Sequence, residues 1–122
     1  MFAGFDIGGT NIKAVLTDEH GKILKYQDIP TPGTAKGIDN ALVQIIQTLT
    51  LSSSLSEKDI LAIGIGAPGT IDRNKGIVIT SPNLPSWKNY PICRNIEKLT
   101  GKKVYLENDA TAACAGVWWH TI

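Results

Sequence analysis

Apolar residues in this chain fall into short runs, separated by polar and glycine-rich breaks, and the period within each run assigns the elements. Phe2 to Ile7 has the length of a buried strand and ends around Asp6. Lys13-Ala14-Val15-Leu16-Thr17 reads as a second strand. The polar cluster Asp18-Glu19-His20-Gly21 turns the chain, and Lys22-Ile23-Leu24-Lys25-Tyr26 returns as a third strand. Strands joined by a few turn residues pair antiparallel, so these three are expected to form a meander. Pro30, Pro32 and Gly33 then break the pattern. From about Gly37 to Leu51 the period becomes helical: Ile38, Leu42, Ile45 and Leu49 share one face, which Ala41 and Ile46 widen.

Ile60 to Ile65 is a continuous apolar run of strand length that dissolves into Gly64, Gly66, Pro68 and Gly69. Such an ending lets a backbone or a ligand come close. Gly76 to Thr80 is another short strand, and Ser81 to Tyr90, with two prolines and two asparagines, reads as a loop. Pro91 suits the first turn of a helix whose apolar face is Ile92, Ile96 and Leu99, with Gly101 at its close. Val104-Tyr105-Leu106 is a strand, and Asp109 is placed to cap a helix running to about Trp119. The small side chains from Ala110 to Gly116 suit close packing on another backbone. Hairpins followed by alternating strand and helix predict an α/β fold, a mixed sheet with flanking helices.

Composition narrows the function classes. At 122 residues and 13.1 kDa the chain is one domain or a piece of one. With 43% hydrophobic and 19% charged residues it is of ordinary globular type. A net charge of +1 gives no electrostatic footprint for nucleic acid or an anionic membrane. No apolar run is long enough to span a bilayer, and the N-terminus lacks the basic start of a signal peptide. Cys93 and Cys114 have no metal-ligand or redox spacing and read as buried thiols in a reducing cytoplasm. His20 and His120 have no metal partner at a useful spacing, so no protein zinc site is expected.

Three segments could carry chemistry. Asp6-Ile7-Gly8-Gly9-Thr10-Asn11-Ile12-Lys13 joins two strands. Its turn could cradle a phosphate on backbone N–H groups, with Thr10 and Lys13 as further donors and Asp6 beside a hydrated Mg²⁺. Gly-Gly is equally a good hairpin turn with no ligand. Because a strand follows it, the segment is neither a Walker loop nor a dinucleotide fingerprint. Glu107-Asn108-Asp109-Ala110 ends a strand and starts a helix. There Asp109 could be a general base or only a cap, and Asn108 offers a donor and an acceptor to a polyol. Gly66-Ala67-Pro68-Gly69-Thr70 and Ser81-Pro82-Asn83-Leu84-Pro85-Ser86-Trp87 are loops that could hold a sugar, or two ordinary turns with Trp87 packed on the core.

In this order and spacing, Asp6-Ile7-Gly8-Gly9-Thr10, Gly66-Ala67-Pro68-Gly69, Asn83-Leu84-Pro85-x-Trp87 and Glu107-Asn108-Asp109-Ala110-x-Ala112-Ala113 resemble the ROK family of bacterial repressors and sugar kinases. The resemblance covers residues 2 to about 119. It implies the ribonuclease-H-like, actin-like ATPase fold, with two lobes closing on sugar and ATP. It places Asp6, Gly8, Gly9, Thr10 and Lys13 at the ATP phosphates and Mg²⁺, and Gly66, Gly69, Asn83, Asn108 and Asp109 at the sugar. Asp109 matches the family's catalytic base, and no role is implied for Glu107. The family's second lobe, with its adenosine pocket and zinc motif, has no counterpart in residues 1–122, nor has the helix-turn-helix of the repressors. The expectation is therefore the N-terminal lobe of a glucokinase-like enzyme, inactive alone. The alternative is a non-catalytic sugar-binding or regulatory domain or a truncated remnant. A cytoplasmic location follows, with sugar and ATP as partners. A lobe without its mate has apolar surface on which it could form a homo-oligomer.

Overall fold

The computed structural model describes residues 1–51, 55–82, 84 and 87–108. The chain opens with the expected antiparallel meander of β1 (Phe2–Ile7), β2 (Asn11–Thr17) and β3 (Ile23–Pro30). Helix α1 (Ala35–Leu51) follows, and then β4 (Ala62–Gly66), which pairs parallel to β1. An excursion makes a second, antiparallel sheet of β5 (Thr70–Asp72), β6 (Ile77–Thr80) and β7 (Lys88–Tyr90). Helix α2 (Ile92–Thr100) leads to β8 (Lys103–Glu107), which pairs parallel to β4. The main sheet is ordered β3-β2-β1-β4-β8, the mixed sheet of a ribonuclease-H-like domain. No helix among the described residues is long and apolar enough to cross a membrane.

The strand pleat divides the core. Ala3, Phe5 and Ile7 point to the same side as Ile63, Ile65, Val104 and Leu106, where α1 contributes Ile38, Leu42, Ile45, Ile46 and Leu49 and α2 contributes Ile92 and Ile96. Phe2 and Ala62 are buried on the opposite face, with Tyr105 against them. A parallel strand covered on both faces needs apolar residues at successive positions, which is why β1 and β4 read as runs without alternation. Each fully buried Ile or Leu adds about 1.5–3 kcal/mol. The α1 stripe is the one its helical spacing predicts.

The departures have local causes. β3 continues to Pro30, beyond the expected end at Tyr26. It is an edge strand, so a proline without an N–H costs no ladder bond on its open side. The fourth strand begins at Ala62: Ile60 is buried, but Leu61 is exposed and its N–H donates to the Met1 carbonyl at 2.8 Å. β5 and β7 have no apolar period, because each is three residues held by pairing with β6. The loop expected over Ser81–Tyr90 therefore ends in a strand. Pro91 stands just before α2, and Gly101 closes the helix with φ 72° and an N–H bond to the Glu97 carbonyl at 2.8 Å. The helix expected from Asp109, and Cys114 within it, lie outside the described residues.

Cys93 is buried in α2 as expected, and burial, with Glu97 nearby, pushes its thiol up from 9.0 to about 12. Burial and the Asp39 carboxylate push the Tyr90 phenol from 10.0 to about 12. Both groups hold their protons more tightly in the folded chain than in the unfolded one. Their contribution is complete below about pH 9 and is lost as pH rises through the folded values. The urea midpoint is expected to fall between pH 9 and 12, less steeply in Tyr90→Phe. A midpoint constant over that range would contradict the burial of both groups.

Candidate active site

Three parallel strands, β1, β4 and β8, bring their carboxyl ends to one edge of the sheet. In-register pairing sets Asp6 beside Gly66 and Gly66 beside Glu107. Residues opposite each other in a ladder share a face, so the two carboxylates flank a glycine that carries no side chain. Asp6 is exposed between buried Phe5 and Ile7. On its other side it is paired with Lys13, which is in turn paired with Asp28. Asp28 accepts from Asn11 Nδ2 at 2.7 Å and from the Tyr26 hydroxyl at 3.2 Å. Lys13 is exposed and makes no ion pair among the described residues.

The turn after β1 is tight. The Gly8 N–H donates to the Asn11 carbonyl at 2.9 Å, which leaves Gly9 and Thr10 at the tip. A Cβ on Gly8 would lie 3.0 Å from that same oxygen. Neither Gly8 nor Gly9 uses the left-handed φ that glycine permits. Thr31 clamps the turn from the end of β3: its hydroxyl donates to the Gly8 carbonyl at 2.7 Å and its N–H to the Thr10 carbonyl at 2.8 Å. The Gly8 and Thr10 carbonyls are thus occupied. The N–H groups of Gly9 and Thr10 have no acceptor among the described residues. Free donors at an exposed tip, with Lys13 close by, are what a phosphate cradle requires.

The second and third segments meet. The Ala67 N–H donates to the Glu107 carbonyl at 2.9 Å, and Asn108 Nδ2 donates to the Gly69 carbonyl at 2.8 Å. Gly69 has φ 99°, and a Cβ there would lie 2.2 Å from the Thr80 carbonyl oxygen and 2.9 Å from Ser81 Cα. The Gly66–Gly69 loop therefore lies against both the exit of β6 and the exit of β8. With one amide hydrogen of Asn108 committed to Gly69, its Oδ1 is its main group for a ligand. After β6 the Leu84 N–H donates to the Ser81 carbonyl at 3.2 Å and the Trp87 N–H to the Leu84 carbonyl at 2.9 Å. Trp87 is completely buried and stacks on Tyr90, with 5.8 Å between ring centroids. It anchors the loop from beneath, so the Trp87 ring itself packs on the core and does not face a ligand.

Asn83 and Asp109 lie outside the described residues. Asn83 directly precedes Leu84, and Asp109 directly follows Asn108. Glu107, for which the sequence offered no role, pairs with Arg73 at 2.7 Å and so ties the turn after β5 to the end of β8. Neither Arg73 nor Thr31 is marked by any motif. Arg73 follows a strand with no apolar period, and Thr31 sits between two prolines that signal only a break. A cavity of about 340 Å³ lies between this turn, α2 and β8, lined by Arg73, Lys75, Arg94 and Glu107 among others. It includes neither Asp6 nor the Gly9–Thr10 tip.

Gly69→Ala combines backbone strain with a clash against main-chain atoms that cannot rotate away. It is expected to cost about 2–4 kcal/mol of stability, measurable by urea denaturation. A loss under about 0.5 kcal/mol would mean that the two loops are not held together as described.

Comparison with known proteins places this arrangement. The sequence pattern of the ROK family matches residues 2–121. A glucokinase of Thermotoga maritima is 43% identical over 116 residues, covering 95% of this chain and 36% of that protein. A putative xylose repressor of a Caldicellulosiruptor species is 33% identical over 121 residues, covering 98% of this chain and 30% of the repressor. The crystal structure of a ROK family glucokinase from Streptomyces griseus, in complex with glucose and AMPPNP, superposes with a TM-score of 0.80 at 37% identity over 96% of this chain and 36% of that one. The chain spans about a third of the length of the relatives it matches. A family pattern over nearly every residue, carried on the same fold, shows that the chain belongs to the ROK family.

Proposed function

We propose that residues 1–122 are the N-terminal lobe of a glucokinase-like enzyme that transfers the γ-phosphoryl group of ATP to a hexose hydroxyl. One observation carries this reading. The Asp6, Gly66–Gly69 and Glu107–Asn108 motifs are scattered through the sequence, yet parallel pairing and the Asn108–Gly69 bond gather them at one sheet edge. Ligands of open α/β sheets bind at that edge. Likeness to a glucokinase crystallised with glucose and AMPPNP supports hexose and ATP as the ligands.

The residues present suit these ligands. The free N–H groups of Gly9 and Thr10, with Lys13, would hold phosphate oxygens, and the exposed Asp6 carboxylate would hold a hydrated Mg²⁺. Bound Mg²⁺ would neutralise phosphate charge. Asn83, Asn108 and the Gly66–Gly69 loop would take the sugar hydroxyls. Asp109 would accept the proton of the attacking hydroxyl as its oxygen forms the bond to phosphorus and ADP leaves. A base of this kind contributes about 10²–10⁴-fold in rate.

The second reading, a sugar-binding regulatory domain without catalysis, is favoured by the likeness to a putative xylose repressor. The two differ in what Asp109 does. With glucose and Mg-ATP in a coupled ADP-release assay, the 122-residue chain alone is expected to give no turnover, because one lobe cannot hold ATP in line with the sugar. Joined to the remaining two thirds of the Thermotoga maritima glucokinase it is expected to turn over. Asp109→Asn in that chimera should lower kcat at least about 100-fold with much less effect on glucose affinity. A fall of less than about tenfold would make Asp109 a helix cap and favour the regulatory reading. Turnover by the chain alone at a normal kinase rate, about 1–100 per second, would overturn the one-lobe reading.

A further inference from the structure

The turn between β1 and β2 leaves one peptide unit, Gly8–Gly9, with a single tie. A closed β-turn holds the carbonyl of its first residue with the N–H of its fourth. Across this turn the bond runs the other way, from the Gly8 N–H to the Asn11 carbonyl at 2.9 Å. The Gly8 carbonyl accepts instead from a distant residue, the Thr31 hydroxyl, at 2.7 Å. The Gly9 N–H, the other polar group of the same peptide, has no acceptor among the described residues. A peptide unit is planar and trans, so its C=O and N–H point in opposite directions. Whatever fixes the Gly8 carbonyl therefore fixes the direction of the Gly9 N–H.

The turn itself does not hold that direction. Gly9 is exposed and leaves unused the left-handed φ open to glycine. Rotating the peptide over changes only the Gly8 ψ and the Gly9 φ, and Gly9 has no Cβ to resist it. The rotated peptide would present a carbonyl oxygen where the N–H now stands, and so would repel an anion rather than bind it. Thr31 opposes this rotation from a fixed position. It stands between Pro30 and Pro32, and the following proline confines it to extended backbone. Its branched Cβ restricts χ1. The Thr31 N–H bond to the Thr10 carbonyl continues the β2–β3 pairing beyond Asn11 and Pro30. The hydroxyl bond adds nothing to that ladder and acts on the Gly8–Gly9 peptide alone.

We propose that Thr31 is the positioning residue of the turn after β1, its hydroxyl locking the Gly8–Gly9 peptide so that the Gly9 N–H faces outward to a phosphate chain. The phosphate part rests on the function proposed above; the lock on the peptide does not. Thr31 acts through the peptide it holds.

NMR on the 122-residue chain tests both parts. Thr31→Val keeps the branched Cβ and the backbone N–H and removes the hydroxyl. In partially aligned samples its Gly9 N–H dipolar coupling is expected to fall at least about twofold, as the peptide averages over two directions. The couplings of β1 and β2 should stay as they are, and Thr31→Ser should restore that of Gly9. An unchanged Gly9 coupling, an equal change throughout β1 and β2, or a Thr31→Ser chain that behaves as Thr31→Val would each overturn the proposal. If Thr31→Val does not fold, Thr31→Ala, which also lacks the hydroxyl, carries the same comparison. Tripolyphosphate is the probe for the second part. It should shift the Gly9 and Thr10 amides of the original chain and bind Thr31→Val about tenfold more weakly, as expected for a lost hydrogen bond to a charged group. Equal affinity for the two chains would overturn the proposal. A lost Gly9 coupling in Thr31→Val with no tripolyphosphate shift in the original chain would uphold the lock and overturn phosphate as its ligand.

Discussion

Parallel pairing of β1, β4 and β8 is the constraint on which the rest of this molecule depends. Strands that run the same way must end at the same edge, and in-register pairing then decides which residues meet there. Asp6, Gly66 and Glu107 form one row because their three strands share both direction and register. A shift of one residue would turn Asp6 into the core and Ile7 out of it. Burial of Phe5, Ile7, Ile63, Ile65, Val104 and Leu106 on one face is what forbids the shift. The apolar core thus has a second role: it holds the polar edge in place.

The polar edge is maintained by contacts in which almost every member is a backbone group. Thr31 clamps the turn through two carbonyls, Asn108 and Ala67 bind the loop after β4 to β8, and Gly69 permits the approach of Thr80. Backbone groups cannot change rotamer, so a site built from them is set when the sheet forms. The Arg73–Glu107 pair is different, since Arg73 is largely exposed and the pair is screened by solvent. Its use is geometric, joining the small sheet to the end of the large one.

Below the edge, the second sheet depends on one buried layer. Trp87 stacks on Tyr90 of β7, and Asp39, which also accepts from Asn95, holds the phenol from the helix side. The excursion buries little of its own apolar surface, with Val78 the fully buried residue in its strands. It keeps its place because two aromatic rings bury a large area there, and because pairing to β6 satisfies the short strands.

The sequence by itself determined the elements with strong periods: the meander, α1, the apolar β4, and α2 with its glycine close. It also marked the Gly8-Gly9 turn, the Gly66–Gly69 loop and Asn108, since glycines after a strand and polar residues before a helix are local signals. Two residues of the expected site, Asn83 and Asp109, have only that local signal, for they lie outside the described residues. Only the tertiary structure decided the rest. β5 and β7 exist because β6 pairs with them, which no period in a three-residue segment can announce. Thr31 and Arg73 act on partners 23 and 34 residues away, a distance that local pattern does not reach. Trp87 could face a sugar or the core, and an aromatic side chain reads the same either way until its neighbour is known. The physical reason is common to all of these: period reports what a segment buries, whereas pairing and contact depend on which distant segment it meets.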